Sequence, residues 1–533
     1  TRRGIGVDLK KIYSRKSELD AGLLYSDESP RGDSLRGTVV SDVFEPSVDT
    51  NRFGGHLSYR WSSGRNLLLP VSLLADGRYV SDPLFLREIE NYKIGRPEDR
   101  FLSSKAIVSA PLGDYMNLQL RVEGTQSISS DTDLVFMRVP ELTLDGYRSF
   151  RVFGINPYGL KLIGSGDITV TRFARKKGFD GTRVEAHPAV KLPFYYKNYL
   201  SGDIGFNVRR TYYTLNERAD PNNPQTILPS TSSRTIYETA INLSTVLERV
   251  FELGKGNLLR RLGAIGVRGE YNDIVRVKHT LEPFVQFVYV PDVNQDDTPL
   301  FDANDHLKGR KVVTYGIESF LIGRRRYIAE KEGKISELEP DERELMEDIF
   351  EDYPSNAVQE VDESFILRRK KGEKGQIAKF SIKQSYDRMV DASAGSNRFS
   401  DINGTVEFRP NHYMGFMFGS NYDYNDGGFS SWGADVELSD DRGDHLRGRV
   451  TSVRDVVSQF EGNVELVFSK RMKVGFYGKY DDLTGEFIEW KGVVRILSGC
   501  DCWKLDIGYR EQLNPDDQDL TIVLTLKGLG EIG

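Results

Sequence analysis

Along most of this chain apolar and polar side chains alternate one by one. Leu520, Ile522, Leu524 and Leu526 fall on one face of an extended segment, while Thr521, Val523, Thr525 and Lys527 fall on the other, because successive side chains of a strand point to opposite sides. The same repeat recurs at Leu118–Leu120–Val122, Ile168–Val170–Arg172, Ile204–Phe206–Val208, Ala378–Phe380–Ile382, Ala434–Val436–Leu438 and Val464–Leu466–Phe468. Turn-forming clusters punctuate these runs, among them Ser62-Ser63-Gly64, Asp426-Gly427-Gly428 and Asn514-Pro515-Asp516-Asp517. The pattern predicts an all-β fold, a single large antiparallel sheet with an apolar and a polar face. Closing into a transmembrane β-barrel hides both that apolar face and the sheet edges. At roughly 20–22 residues per strand and connection, a chain of 533 residues makes about 24 strands. The whole of 1–533 reads as one barrel domain.

One stretch departs from the repeat. Residues 324–374 are densely charged, and Asp341 to Phe350 read as a short helix with Pro340 before its first turn and acidic residues near its positive end. This predicts a charged loop insertion.

Composition sharpens the picture. Only 38% of residues are hydrophobic, and no run approaches the roughly 18 apolar residues that a membrane helix needs. A barrel is compatible with that average, since only alternate strand residues face lipid. With 26 Tyr, 28 Phe and 51 Gly against 4 Trp, the chain suits strands with aromatic girdles. A net charge of −7 without a basic stripe argues against nucleic acid as a partner.

Catalytic and metal motifs are not evident. The six histidines, His56, His187, His279, His306, His412 and His445, lack ligand spacing. There is no HExxH, CxxC, GxSxG or P-loop pattern. The expectation is no enzyme, no cofactor and no metal. The acidic run Asp292 to Asp297 reads as a solvated turn rather than a calcium loop.

Cys500 and Cys502 are the only cysteines. If the final strand descends to the periplasm, the segment Ser498 to Cys502 is a periplasmic turn, where thiols are oxidised. One intervening residue makes a mutual bond strained. The pairing stays open between cysteines outside this chain and a mutual or free state.

At these residues the chain resembles the LptD family of LPS-assembly proteins. The C-terminal run from Cys500 through Trp503 to Lys527-Gly528-Leu529-Gly530 is similar to that family's Cys-Cys-Trp signature and final strand, with Asp501 inserted between cysteines that are usually adjacent. The central segment carries Leu281-Glu282-Pro283, Tyr289, Pro291, Gln295, Pro299, Phe301 and Asp302 in the family's order. Gly77–Glu90, Phe136–Gly146 and Arg183–Leu215 match as well.

The resemblance implies most of a twenty-six-strand outer-membrane barrel, with the periplasmic N-terminal jelly-roll and the first strands lacking. It implies a translocon for lipopolysaccharide in the Gram-negative outer membrane. Sugars would pass through the lumen, and lipid A would leave by a lateral seam beside the last strand, Leu520–Lys527. It further implies disulfides from Cys500 and Cys502 to the N-terminal region, a plug lipoprotein, LptE, and a periplasmic Lpt bridge. The competing expectations are another large barrel, such as a TonB-dependent transporter or porin, and a soluble β-rich binding protein.

Overall fold

A computed structural model describes the chain apart from residues 1–2, 15, 28–50, 64–69, 83, 90–92, 97–98, 129–134, 152–160, 198, 218–226, 265–273, 326–373, 391–396, 412, 441, 500–501, 514–516, 527–529 and 533. The first strands are β1 (Arg3–Ser14), β2 (Ser17–Asp27), β3 (Asn51–Ser62) and β4 (Ser72–Val80). A four-residue helix, α1 (Phe85–Glu88), precedes β5 (Phe101–Leu112), β6 (Met116–Ser127), β7 (Met137–Arg151), β8 (Lys161–Ala174) and β9 (Asp180–Tyr196). Next come β10 (Leu200–Glu217), β11 (Thr231–Ser244), β12 (Leu247–Glu252), α2 (Leu258–Ala264), β13 (Ile274–Val290) and β14 (Arg310–Arg325). The sheet continues through β15 (Lys374–Asp387), β16 (Ile402–Phe408), β17 (Met414–Asp423), β18 (Gly428–Ser439), β19 (His445–Val453) and β20 (Val457–Ser469). It ends with β21 (Met472–Asp481), β22 (Glu486–Leu497), β23 (Trp503–Gln512), β24 (Asp517–Leu526) and β25 (Gly530–Ile532). Neither helix is long and apolar enough to cross a membrane.

All 25 strands belong to one sheet. It is an antiparallel meander in which each strand pairs with its neighbour in sequence. The one departure is at β13, where β11 and β12 lie end to end along the same edge. Counted as one strand, they bring the sheet to the expected size. The break has a local cause. The β11 ladder stops at Ser244↔Phe284 and the β12 ladder starts at Leu247↔Leu281. Between them the Pro283 carbonyl accepts from Thr245 N at 3.2 Å. Both polar groups of a strand residue point to the same neighbour, so the N–H that proline lacks is missing from this edge. On the other edge, the β14 ladder passes Pro283 without interruption.

The face that alternation predicts as apolar is the outward one. Val108, Leu120, Leu142, Val170, Val184 and Tyr212 sit opposite one another across six consecutive strands. Each is 37–47% exposed. Aromatic side chains gather at both ends of such strands: Tyr147, Tyr195, Tyr196 and Tyr199 at one, Phe53, Tyr79 and Phe101 at the other. An apolar belt between aromatic girdles is stable in hydrocarbon and costly in water.

The inward face carries cross-strand charge ladders. Arg121 bridges to Glu123 and Glu141, Arg209 to Glu185, Arg449 to Asp435 and Glu461, and Arg495 to Asp506.

The charged insertion expected at 324–374, with its helix Asp341–Phe350, lies almost wholly outside the described residues; β14 ends at Arg325 and β15 begins at Lys374. The expected last strand, Leu520–Lys527, corresponds to β24, but it is not terminal. The chain turns back into β25, which pairs only with Leu524, Thr525 and Leu526. Lys527 lies outside the described residues.

Candidate functional site

Strand parity puts the connections 81–100, 175–179 and 291–309 on one rim, and 498–502 on the opposite one. We call these the motif rim and the cysteine rim. At the motif rim two connections fold inward.

The first is 291–309. Pro291 cannot extend the ladder, and turns at Gln295–Thr298 and Asp302–Asp305 shape the rest of the segment. Gln295 knots it: its Nε2 donates to Leu307 O at 2.9 Å, and its Oε1 accepts from Leu307 N at 3.1 Å. Phe301, 6% exposed, enters an aromatic cluster. It stacks on Phe173 with ring centroids 4.4 Å apart and meets Phe136 edge-on at 5.2 Å. Arg175 lies 4.2 Å over both Phe136 and Phe179.

Asp305 organises the polar side of this docking. It is fully buried, and its carboxylate accepts from Phe301 N, Asp302 N and Tyr213 Oη at 2.8 Å each and from Arg183 at 2.9 Å. Arg183 also holds Asp302 through two hydrogen bonds of 2.8 and 3.0 Å, and Arg138 reaches the same carboxylate at 3.2 Å. From β11, Arg234 donates to Gln295 Oε1 at 2.6 Å and to the carbonyls of Asn304 and Asp305. A buried charge network of this kind is stable only when every member is matched, and here strands of the wall supply the partners. The segment is thereby a fixed inward cover at the rim.

Burial alone would raise the Asp302 carboxyl. The hydrogen bond and charge of Arg183, the Asn304 N–H and the charge of Arg138 outweigh it and hold the group below its ordinary value. A carboxyl depressed on docking stabilises the docked state above its ordinary value and loses that contribution as pH falls through the depressed one. Hydrogen-exchange protection of 291–309 is therefore expected to be equal at pH 7 and pH 5, and to fall only in stronger acid than an ordinary carboxylate requires.

The second inward fold is 81–100. Val80, Phe85, Leu86, Ile89, Ile94, Leu102 and Ile128 form a core. Asp82 beneath it takes a two-point hydrogen bond from Arg52 at 2.8 and 2.9 Å, both side chains buried. Gly54 lets α1 approach, since a Cβ there would stand 2.6 Å from the Phe85 ring.

The structure thus divides the residues singled out in the sequence. Pro291, Gln295, Pro299, Phe301 and Asp302 come together in the inward cover. Leu281, Glu282, Pro283 and Tyr289 stay in the wall on β13. Asp292, Asp296 and Asp297 form the exposed turn that the acidic run predicts. Asp305, Arg183, Tyr213 and Arg234 carry the docking; Arg183 and Tyr213 fall within the resembling stretch Arg183–Leu215, but none of the four is singled out in the sequence as a site residue.

At the cysteine rim, Ser498 Oγ accepts from Cys502 N at 2.8 Å and from Trp503 N at 3.1 Å, closing the turn. Cys502 is exposed. Cys500, the only other cysteine in the sequence, lies outside the described residues.

Nearby is the sheet's end. Leu520 and Ile522 point outward, 70% and 57% exposed, and Thr521, Val523 and Thr525 alternate with them. β24 pairs with β23 over ten residues, but on its other edge only with the three residues of β25. β25 lies beside β1. Among the described residues no ladder joins β1 to β24 or β25.

A model of the family LptD, LPS transport system D, matches residues 56–472. The LPS-assembly protein LptD of Methylococcus capsulatus is 23% identical over 310 residues, covering 54% of this chain and 26% of that protein. That of Thiobacillus denitrificans is 28% identical over 324 residues, covering 57% and 38% respectively. The chain thus aligns with less than two fifths of either relative's length. Among solved structures, the open form of the ferric-catecholate import receptor Fiu from E. coli K12 aligns over 96% of this chain and 76% of its own, at 7% identity and a TM-score of 0.27.

Proposed function

The chain belongs to the LptD family of LPS transport proteins, and from that premise we propose that it is the outer-membrane barrel through which lipopolysaccharide reaches the outer leaflet. Lipopolysaccharide is amphipathic: its acyl chains belong in hydrocarbon, whereas its sugars and phosphates cannot cross it without a large desolvation cost. A barrel that parts at one seam separates the two. Sugars travel through the charged lumen while lipid A slides sideways.

The observation that carries this reading is the edge of β24, which is held by three residues of β25, whereas every other ladder among the described residues pairs at least five. Backbone ladders elsewhere would cost many hydrogen bonds to open, and this junction few. Thr521, Val523 and Thr525 border the route on the lumen side. The inward covers at 81–100 and 291–309 would face the emerging sugars. No nucleotide motif is present, so the driving energy would come from a periplasmic Lpt bridge. LptE would fill the lumen, and Cys500 and Cys502 would form links to the N-terminal region of the longer protein.

The test is photo-crosslinking in cells from Thr521 and Thr525. Adducts with lipopolysaccharide that vanish when its synthesis is halted are the expected result. Absence of adducts, or adducts no more frequent than from lumen-facing Gln119, would sink the seam. Non-reducing peptide mapping of the full-length protein tests the cysteine links.

A further inference from the structure

On the inward face of the first three strands, Asp8, Asp20 and His56 converge, each offering one ligand atom within 4.8 Å of the others. Register produces the convergence. Asp8, Gly22 and His56 stand in one row across β1, β2 and β3, with Asp20 one inward position along β2. Gly22 is what permits it. A Cβ at that position would fall 2.1 Å from Asp8 Oδ1 and 2.3 Å from His56 Cε1, so without it the two side chains lean together across the middle strand.

The geometry points to a binding site for one divalent cation of the zinc class, held by the two carboxylates and the imidazole. His56 is 9% exposed. Its Nε2 lies 3.1 Å from Asp20 Oδ1 and 3.7 Å from Asp8 Oδ1. A tetrahedral ion with bonds of about 2.0–2.2 Å sets its ligands about 3.3–3.6 Å apart, so small shifts seat one. Two buried atoms have no hydrogen-bond partner here, Asp8 Oδ1 and His56 Nδ1. The first is an orphaned acceptor turned toward the cluster, which a cation would satisfy. The imidazole selects zinc, nickel or cobalt over magnesium or calcium, which favour all-oxygen sets. A cationic side chain is already near: Lys93, from the inward fold 81–100, places Nζ 3.8 Å from both Asp8 and Asp20. A bound ion would displace it, tie β1 to β2 and β3, and loosen that fold's hold on the wall. The site does not depend on the transport reading.

The probe is zinc chloride, titrated into the folded barrel in detergent micelles with cysteines oxidised, against a chromophoric chelator. One saturable equivalent is expected. His56→Gln and Asp20→Asn should weaken it by at least the about 10–100-fold that even outer-sphere partners contribute, while Lys93→Met should tighten it. Cobalt substitution should give tetrahedral absorption bands that His56→Gln removes. Heat-modified migration on gels confirms that each variant is folded. No saturable equivalent, or binding unchanged in folded His56→Gln and so due to other histidines, would overturn the site.

Discussion

Asp305→Ala will release the 291–309 segment from the rim. The substitution removes one of the two carboxylates that match Arg183, orphans Tyr213 Oη and leaves two backbone N–H groups without their acceptor. Removing one partner of a buried charge network costs about 3–5 kcal/mol, which is large against the stability of one docked segment. Protease cleavage within 291–309 should accelerate, and conductance through the barrel in planar bilayers should rise. Asp297→Ala, on the exposed turn of the same segment, should change stability by no more than about 0.5 kcal/mol. Equal behaviour of the two variants would mean that the segment is held by its aromatic contacts alone.

The second large effect belongs to the outward face. Leu142 stands near the middle of β7, 43% exposed, between Leu120 and Val170. An arginine facing lipid at the bilayer midplane costs about 2–4 kcal/mol. Leu142→Arg should therefore lower the denaturant midpoint of the barrel in lipid vesicles. Gln119→Arg, on the inward face of the neighbouring strand, should leave it nearly unchanged, because its charge meets water and the ladders of the lumen. The reverse ranking would invert the assignment of the two faces.

Much of the fold is legible in the sequence because alternation is a local property. The repeats at Leu118–Val122, Ile168–Arg172, Ile204–Val208, Ala378–Ile382, Ala434–Leu438 and Val464–Phe468 all lie within strands. The turn Asp426-Gly427-Gly428 joins β17 to β18, with Gly427 at φ +69°. The site is less legible, since it depends on register. His56 and Asp20 are 36 residues apart and meet only because β2 and β3 pair, so a search for ligand spacing passes over them. Polar positions of a strand look alike whether they line water or clasp a buried segment, which hides Arg183, Tyr213 and Arg234. The motif residues around Phe301 and Asp302 stand out through resemblance rather than physics. Resemblance singles out Pro283, but only the paired strands reveal which edge it interrupts.

The meander has a consequence for how the molecule is made. Nearly every ladder joins strands consecutive in the chain, so each hairpin can add to the last with only a short loop to close. Such local steps are fast, on the order of 1–10 μs for an isolated hairpin. The contact of β25 with β1 is the opposite case, bringing together residues from the two ends of the sheet. Loop-closure entropy grows with the chain enclosed, and contacts so distant in sequence form slowly. Along the described strands assembly should therefore run as a zipper, hairpin by hairpin. Among the described strands, the contact most distant in sequence is also one that no ladder holds.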